Sequence, residues 1–182
     1  MTLNNDDILK HRGGTAQNDF TNTINLEHFE MSNQNKSKYY DTDGLKTFLN
    51  KHKNKLTILS LNIDSLYSKF EDLKQLTETL EQDGAPISII CIQEARIHEQ
   101  SDTNHLQLHN YNLTTQCLNK HCSTKGGLAI YTLNNIHITN IQHHNTFNTW
   151  EGLSIDVTDT TNTTIRICNI YRPPKTTTTM QP

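Results

Sequence analysis

The sequence predicts an α/β fold, a mixed sheet that opens with a parallel βαβ unit and carries its helices outside. Three observations predict it. Two short, nearly continuous apolar runs, LTILSLN at 56–62 and ISIICIQ at 87–93, flank a segment whose apolar residues recur at helical spacing. Later runs at 126–132, 136–141, 150–157 and 164–171 are strand-length and separated by short polar joints. Breakers fall between these segments rather than inside them.

The run at 56–62 lacks strict alternation, the pattern of a strand covered on both faces. Ser68 and Glu71 then have capping-box spacing, and Phe70, Leu73, Leu76, Thr77 and Leu80 form one apolar stripe, which predicts a helix over 69–82. Asp83-Gly84-Ala85-Pro86 ends it, because Gly supplies a left-handed cap and Pro cannot continue the ladder. The second buried strand follows at 87–93. A strand, a helix and a strand with short joints pair in parallel with a right-handed crossover. Asn62 and Glu94 then end on the same edge of the sheet, where open α/β sheets bind their ligands.

From 96 to 124 the chain is polar and rich in His, with a short strand expected at 111–114. Gly126-Gly127 opens a third strong strand, and Asn134-Asn135 predicts a turn joining it to an alternating strand at 136–141. Segments 150–157 and 164–171 predict a hairpin, closed by Pro173 and Pro174. Residues 1–54 are poor in apolar side chains and are expected to be mostly disordered, with a weak helix at 43–51. Residues 55–175 form the folded part and 176–182 a flexible tail.

Composition narrows the function classes. Hydrophobic residues make up 33% of 182, and the net charge of −3 gives no basic footprint for nucleic acid, so DNA binding would need a local face. Val157 is the only valine, which points to nucleotide bias rather than structural demand. No apolar run is long enough to span a bilayer and no signal peptide is recognisable, so an intracellular protein with no membrane partner is expected. The sequons at Asn35, Asn112 and Asn162 then carry no meaning. Cys91, Cys117, Cys122 and Cys168 lack CxxC pairing, and reduced thiols are expected.

Four blocks carry a resemblance. SLNIDSL around Asn62, IICIQEA around Glu94, KGGLAIY around Gly126 and Gly127, and NIYRPP around Tyr171 stand in order over about 120 residues. Together they resemble the successive motifs of the endonuclease/exonuclease/phosphatase superfamily, and are most similar to the apurinic-endonuclease-like domains of LINE-type retrotransposons. The resemblance implies a partial deoxyribonuclease-I-like two-sheet sandwich. It implies a Mg²⁺-dependent DNA endonuclease, Mn²⁺ being an alternative ion, linked in the complete element to a reverse transcriptase and acting in the nucleus.

Residue by residue, Glu94 matches the primary metal-binding carboxylate, Asn62 the amide that supports the metal and its water, and Tyr171 the tyrosine that faces the scissile phosphate. The chemistry agrees, since Mg²⁺ takes oxygen ligands and only one or two protein carboxylates. Glu94 and Asn62 are expected close enough to share one ion. The family's pattern continues with a GDFN-like block and closes with an Asp-His pair, and neither follows Tyr171. About half a domain is therefore expected, inactive alone, with one sheet face uncovered and a partner in the missing half. Alternatives are a superfamily exonuclease or phosphatase and a non-catalytic remnant or binding module.

Other residues carry blander expectations. Arg96 is expected on the surface although a phosphate contact is in reach, and Trp150 is expected to pack rather than stack on a base. Cys117 with His121 and Cys122, and the pair His105 and His109, each fall short of a zinc ligand set.

Overall fold

The structure is a computed structural model and describes residues 24–26, 38–118, 125–146, 150–158 and 163–172. Two minor strands, β1 (Ile24–Leu26) and β2 (Lys38–Tyr40), pair antiparallel and lead into α1 (Thr42–Lys51). Asp41 caps α1, its carboxylate accepting from Gly44 N–H at 2.8 Å, and Leu45 and Leu49 enter the core. The helix expected at 43–51 is thus present. Most of the remaining residues of 1–54 lie outside the described residues.

The first main sheet has the order β3-β4-β6-β5, with β3 (Ile58–Asn62), β4 (Ile89–Gln93), β5 (Tyr111–Gln116) and β6 (Leu128–Leu133). β3 and β4 are parallel, joined through α2 (Leu66–Gln82), and the other pairs are antiparallel. The second sheet has the order β7-β8-β9, with β7 (His137–Thr146), β8 (Trp150–Thr158) and β9 (Thr164–Tyr171), all antiparallel. The expected α/β class, mixed sheet, two-sheet sandwich and external helices are what the chain forms.

Strand alternation divides the core in two. Leu59, Ile90, Ile92, Ala129 and Tyr131 face α1 and α2, where they meet Leu45, Leu66, Phe70, Leu73, Leu76 and Leu80. Ile89, Cys91, Leu128 and Ile130 face the second sheet and meet Leu153, Ile155, Val157, Ile167 and Tyr171. Tyr111 and Tyr131 satisfy their buried hydroxyls by donating to the carbonyls of Ile87 at 2.7 Å and Leu106 at 2.8 Å.

Three expectations need correction. The helix starts three residues before 69 and the capping box does not form, because Ser68 lies inside α2 and its hydroxyl donates to the Ser65 carbonyl. The first N–H groups are instead taken by the neighbouring loop, with Ser65 N–H donating to Glu94 O at 2.8 Å and Leu66 N–H to Ala95 O at 3.0 Å. Asn134-Asn135 forms the expected turn, and because both sides of β6 are occupied by β4 and β5, β7 crosses to build the second sheet. That crossing also covers most of the sheet face expected to be bare. What stays open lies over β3, where Ile58 shares the face of its register partner Ile89 yet is 39% exposed.

Candidate active site at the strand rim

β3 and β4 run parallel in the register Ile58↔Ile89 through Asn62↔Gln93, so both end on one rim. The chain turns sharply there. Asp64, Ser65, Glu94 and Arg96 all have positive φ, at 50°, 111°, 53° and 53°. Non-glycine residues held in that region cost about 1–3 kcal/mol each and persist only where surrounding contacts fix them. The contacts are visible on two sides. Ser65 and Leu66 N–H bind the carbonyls of Glu94 and Ala95, while Ala95 and Arg96 N–H donate to the carbonyls of Gly127 and Gly126, each at 2.9 Å.

This arrangement brings the predicted pair together. Asn62 Nδ2 donates to Glu94 Oε1 at 2.9 Å, and Glu94 is only 9% exposed. Rotating the amide by half a turn would bring its oxygen to the same place. Tyr171 arrives from β9 in the opposing sheet. Its hydroxyl is buried, makes no hydrogen bond of good geometry, and lies beside the Glu94 carboxylate. Burial first, and then the Glu94 carboxylate beside it, push the phenol up to about 12, with smaller contributions from Glu151 and Asp64. The three predicted residues therefore converge, two from the first sheet and one from the second.

The remaining sequence candidates sort differently. Arg96 is paired with the Asp64 carboxylate, and its Nε is buried without a partner. Trp150 is half-buried and stacks on His144 with ring centroids 6.0 Å apart, which is packing. His105 lies against the Tyr67 ring and His109 binds Glu81 at 3.1 Å, so that pair does not converge on an ion. His121 and Cys122 lie outside the described residues; Cys91, Cys117 and Cys168 form no disulfide. Among the described residues no helix is long and apolar enough to cross a membrane.

Sequence reading missed three polar residues behind the rim. Asp64 is one, two positions past Asn62. Glu151 on β8 is 4% exposed, and its Oε2 accepts from Gly127 N–H at 2.7 Å. Asn169 on β9 is 2% exposed; its Nδ2 donates to the carbonyls of Ile92 at 2.8 Å and Ala129 at 3.1 Å, and its oxygen accepts from Gln93 Nε2. A signal for the last two was present. Glu151 is in phase with Leu153, Ile155 and Val157, and Asn169 with Ile167 and Tyr171, so each is a polar residue on an apolar strand face.

No family model matches the sequence, and no curated protein matches it. Among solved structures, the chain is similar to an AP endonuclease from Leishmania major, at 13% identity and a TM-score of 0.46, over 63% of this chain and 39% of that one. It is also similar to the human Nocturnin catalytic domain with bound sulfate anion, at 16% identity and a TM-score of 0.44, over 66% of this chain and 50% of that one. A third is the Xenopus laevis APE2 catalytic domain, at 17% identity and a TM-score of 0.44, over 64% of this chain and 45% of that one. The chain thus spans half or less of the length of these structures.

Proposed function

We propose that the chain is part of a divalent-metal-dependent DNA endonuclease of the endonuclease/exonuclease/phosphatase superfamily, of retrotransposon origin and joined in its complete element to a reverse transcriptase. The observation that carries the reading is the rim itself: Asn62 bonded to Glu94 at 2.9 Å, with the buried Tyr171 hydroxyl beside them. A protonated phenol beside the Glu94 carboxylate is a donor within the rim, and a phosphate oxygen is an acceptor that this chemistry suits.

The donor set suits Mg²⁺ or Mn²⁺. Glu94 has one oxygen engaged by Asn62, and its carboxylate, with the Asn62 amide turned to present its oxygen, would offer hard oxygen ligands. Glu94 would hold the ion with Asn62 in support. Such an ion polarises a phosphate and takes up charge on the leaving oxygen. The chain's own residues do the rest: Asn62 orients the carboxylate, the strained 94–96 loop fixes its approach, and Tyr171 donates to the phosphate.

A second reading is a non-catalytic remnant of the same fold, which would keep the rim without holding an ion. Isothermal calorimetry with Mn²⁺ separates the two. We expect binding in the full chain that weakens at least tenfold in Glu94→Gln. Absence of binding, or binding indifferent to that substitution, supports the remnant.

A further inference from the structure

We propose that Glu151 is a positioning residue for Glu94, acting across the sandwich through a single peptide group; the metal part of this inference rests on the reading above. Glu151 sits on β8 among Leu153 and Ile155, and a carboxylate that deep is costly unless it is bonded. Its bond is to Gly127 N–H at 2.7 Å. That N–H belongs to the same peptide as the Gly126 carbonyl, which accepts from Arg96 N–H at 2.9 Å. A line therefore runs from the Glu151 carboxylate through one peptide to the loop bearing Glu94. A charge at one end of such a line polarises the peptide and strengthens the bond at the other.

The space around the turn says the same. A Cβ on Gly126 would lie 2.9 Å from both Glu151 oxygens, and one on Gly127 would lie 3.2 Å from Arg96 N and Ile97 N. Both glycines have positive φ, at 125° and 76°. The carboxylate is thus packed flat on the turn's backbone, and the turn flat on the 94–97 loop. On its far side this loop is held by Ser65 and Leu66 N–H, so the Glu151 line closes the second half of a clamp. Two left-handed residues, Glu94 and Arg96, sit between the halves and need both. Removing Glu151 releases one half and lets Glu94 swing from its bond to Asn62.

The test uses the full chain with Glu151→Ala and Glu151→Gln, reading amide hydrogen exchange residue by residue and Mn²⁺ affinity by calorimetry. In Glu151→Ala we expect exchange at Ala95 and Arg96 to quicken at least tenfold while Ile90 and Ile92 in β4 keep their protection, and Mn²⁺ affinity to fall about tenfold. Glu151→Gln retains an oxygen for Gly127 N–H but loses the charge, and is expected to fall between the parent and Glu151→Ala in both. Unchanged exchange at Ala95 and Arg96 overturns the proposal, as does a uniform quickening that includes β4, which would make Glu151 merely structural. Should the alanine chain fail to fold, Glu151→Asp is decisive: it keeps the charge one methylene short, and quickening confined to the loop supports the line where unchanged exchange overturns it. A parent chain that binds no Mn²⁺ sinks the metal reading and leaves the exchange result to judge this one.

Discussion

The two faces of the first sheet are covered by different materials. On the helix side, Leu66, Leu73 and Leu80 of α2 are fully buried against Leu59, Ile90, Ile92 and Tyr131, and the few polar side chains include Tyr111 and Tyr131, bonded to carbonyls, Thr77, bonded to the Lys74 carbonyl, and Tyr67. On the strand side, Leu153, Ile155 and Ile167 share the interface with Glu151, Asn169 and Gln93, and the cover stops short of β3. The first face satisfies the hydrophobic drive almost alone. The second gives up apolar contact for bonded polar groups, and those groups all lie toward the rim where Asn62, Glu94 and Tyr171 meet. Apolar packing is concentrated on one side of the sheet and bonded polar groups on the other.

The largest effect that would sharpen this contrast is a truncation on the helix side. Leu73 is 0% exposed, and Leu73→Ala is expected to cost about 2–5 kcal/mol in urea unfolding. Ile167→Ala on β9, an edge strand whose neighbours can close inward, is expected at the low end of that range, about 2 kcal/mol. Equal losses would break the contrast.

Next in size is Asn169. Its amide crosses from β9 to two carbonyls of the first sheet, and Asn169→Ala would leave Gln93 Nε2 and those carbonyls short of a partner inside the interface. The expected cost is about 1–3 kcal/mol by the same unfolding assay. A neutral result would mean that the polar side of the sandwich is no better fixed than a surface.

Much of this was legible in the sequence because apolar runs report burial directly. The strands at 58–62, 89–93 and 128–133 and the hairpin of β8 and β9 are each an apolar run or a clean alternation between breakers. What was not legible depended on partners distant in sequence. The start of α2 is set by carbonyls of residues 94 and 95, so the local Ser68 and Glu71 pattern misplaced it. The Asn134-Asn135 turn carries no record that both sides of β6 are already filled. The convergence of Asn62 and Glu94 followed from the βαβ argument alone. The left-handed backbone that aims Glu94, and the Glu151 bond behind it, have no local signature beyond a polar residue in an apolar phase.

Titration sharpens the same contrast at smaller scale. Cys91 faces the second sheet, and burial pushes its thiol up to about 12 from an ordinary value near 9. A raised folded value means the folded chain holds a proton that the unfolded chain has released between those two limits. Stability is therefore intact below about pH 9 and declines as pH rises toward 12. Cys91→Ala should make that alkaline decline shallower in a Tm-against-pH series, at the cost of a small cavity, while the buried phenols of Tyr111, Tyr131 and Tyr171, also raised by burial, keep the remainder.

Asp156 gives the smallest effect, on the outer face of the second sheet. Arg166 chelates it through Nε at 2.7 Å and Nη2 at 2.9 Å, and Asn140 donates at 2.8 Å. These bonds, Arg166 first, hold the carboxyl down to about 2. A lowered folded value puts the stabilisation above the unfolded value near 4 and removes it as pH falls through 2. Exposed ion pairs are screened, so the contribution is small and should shrink further in 1 M salt. In a Tm-against-pH series Asp156→Asn should remove the part of the acid limb between pH 4 and 2 and leave the alkaline limb unchanged. If the substitution moved both limbs, the outer pair would be coupled to the interface beneath it, and the division of the sheet into an apolar face and a polar face would have to extend through β8 to the surface.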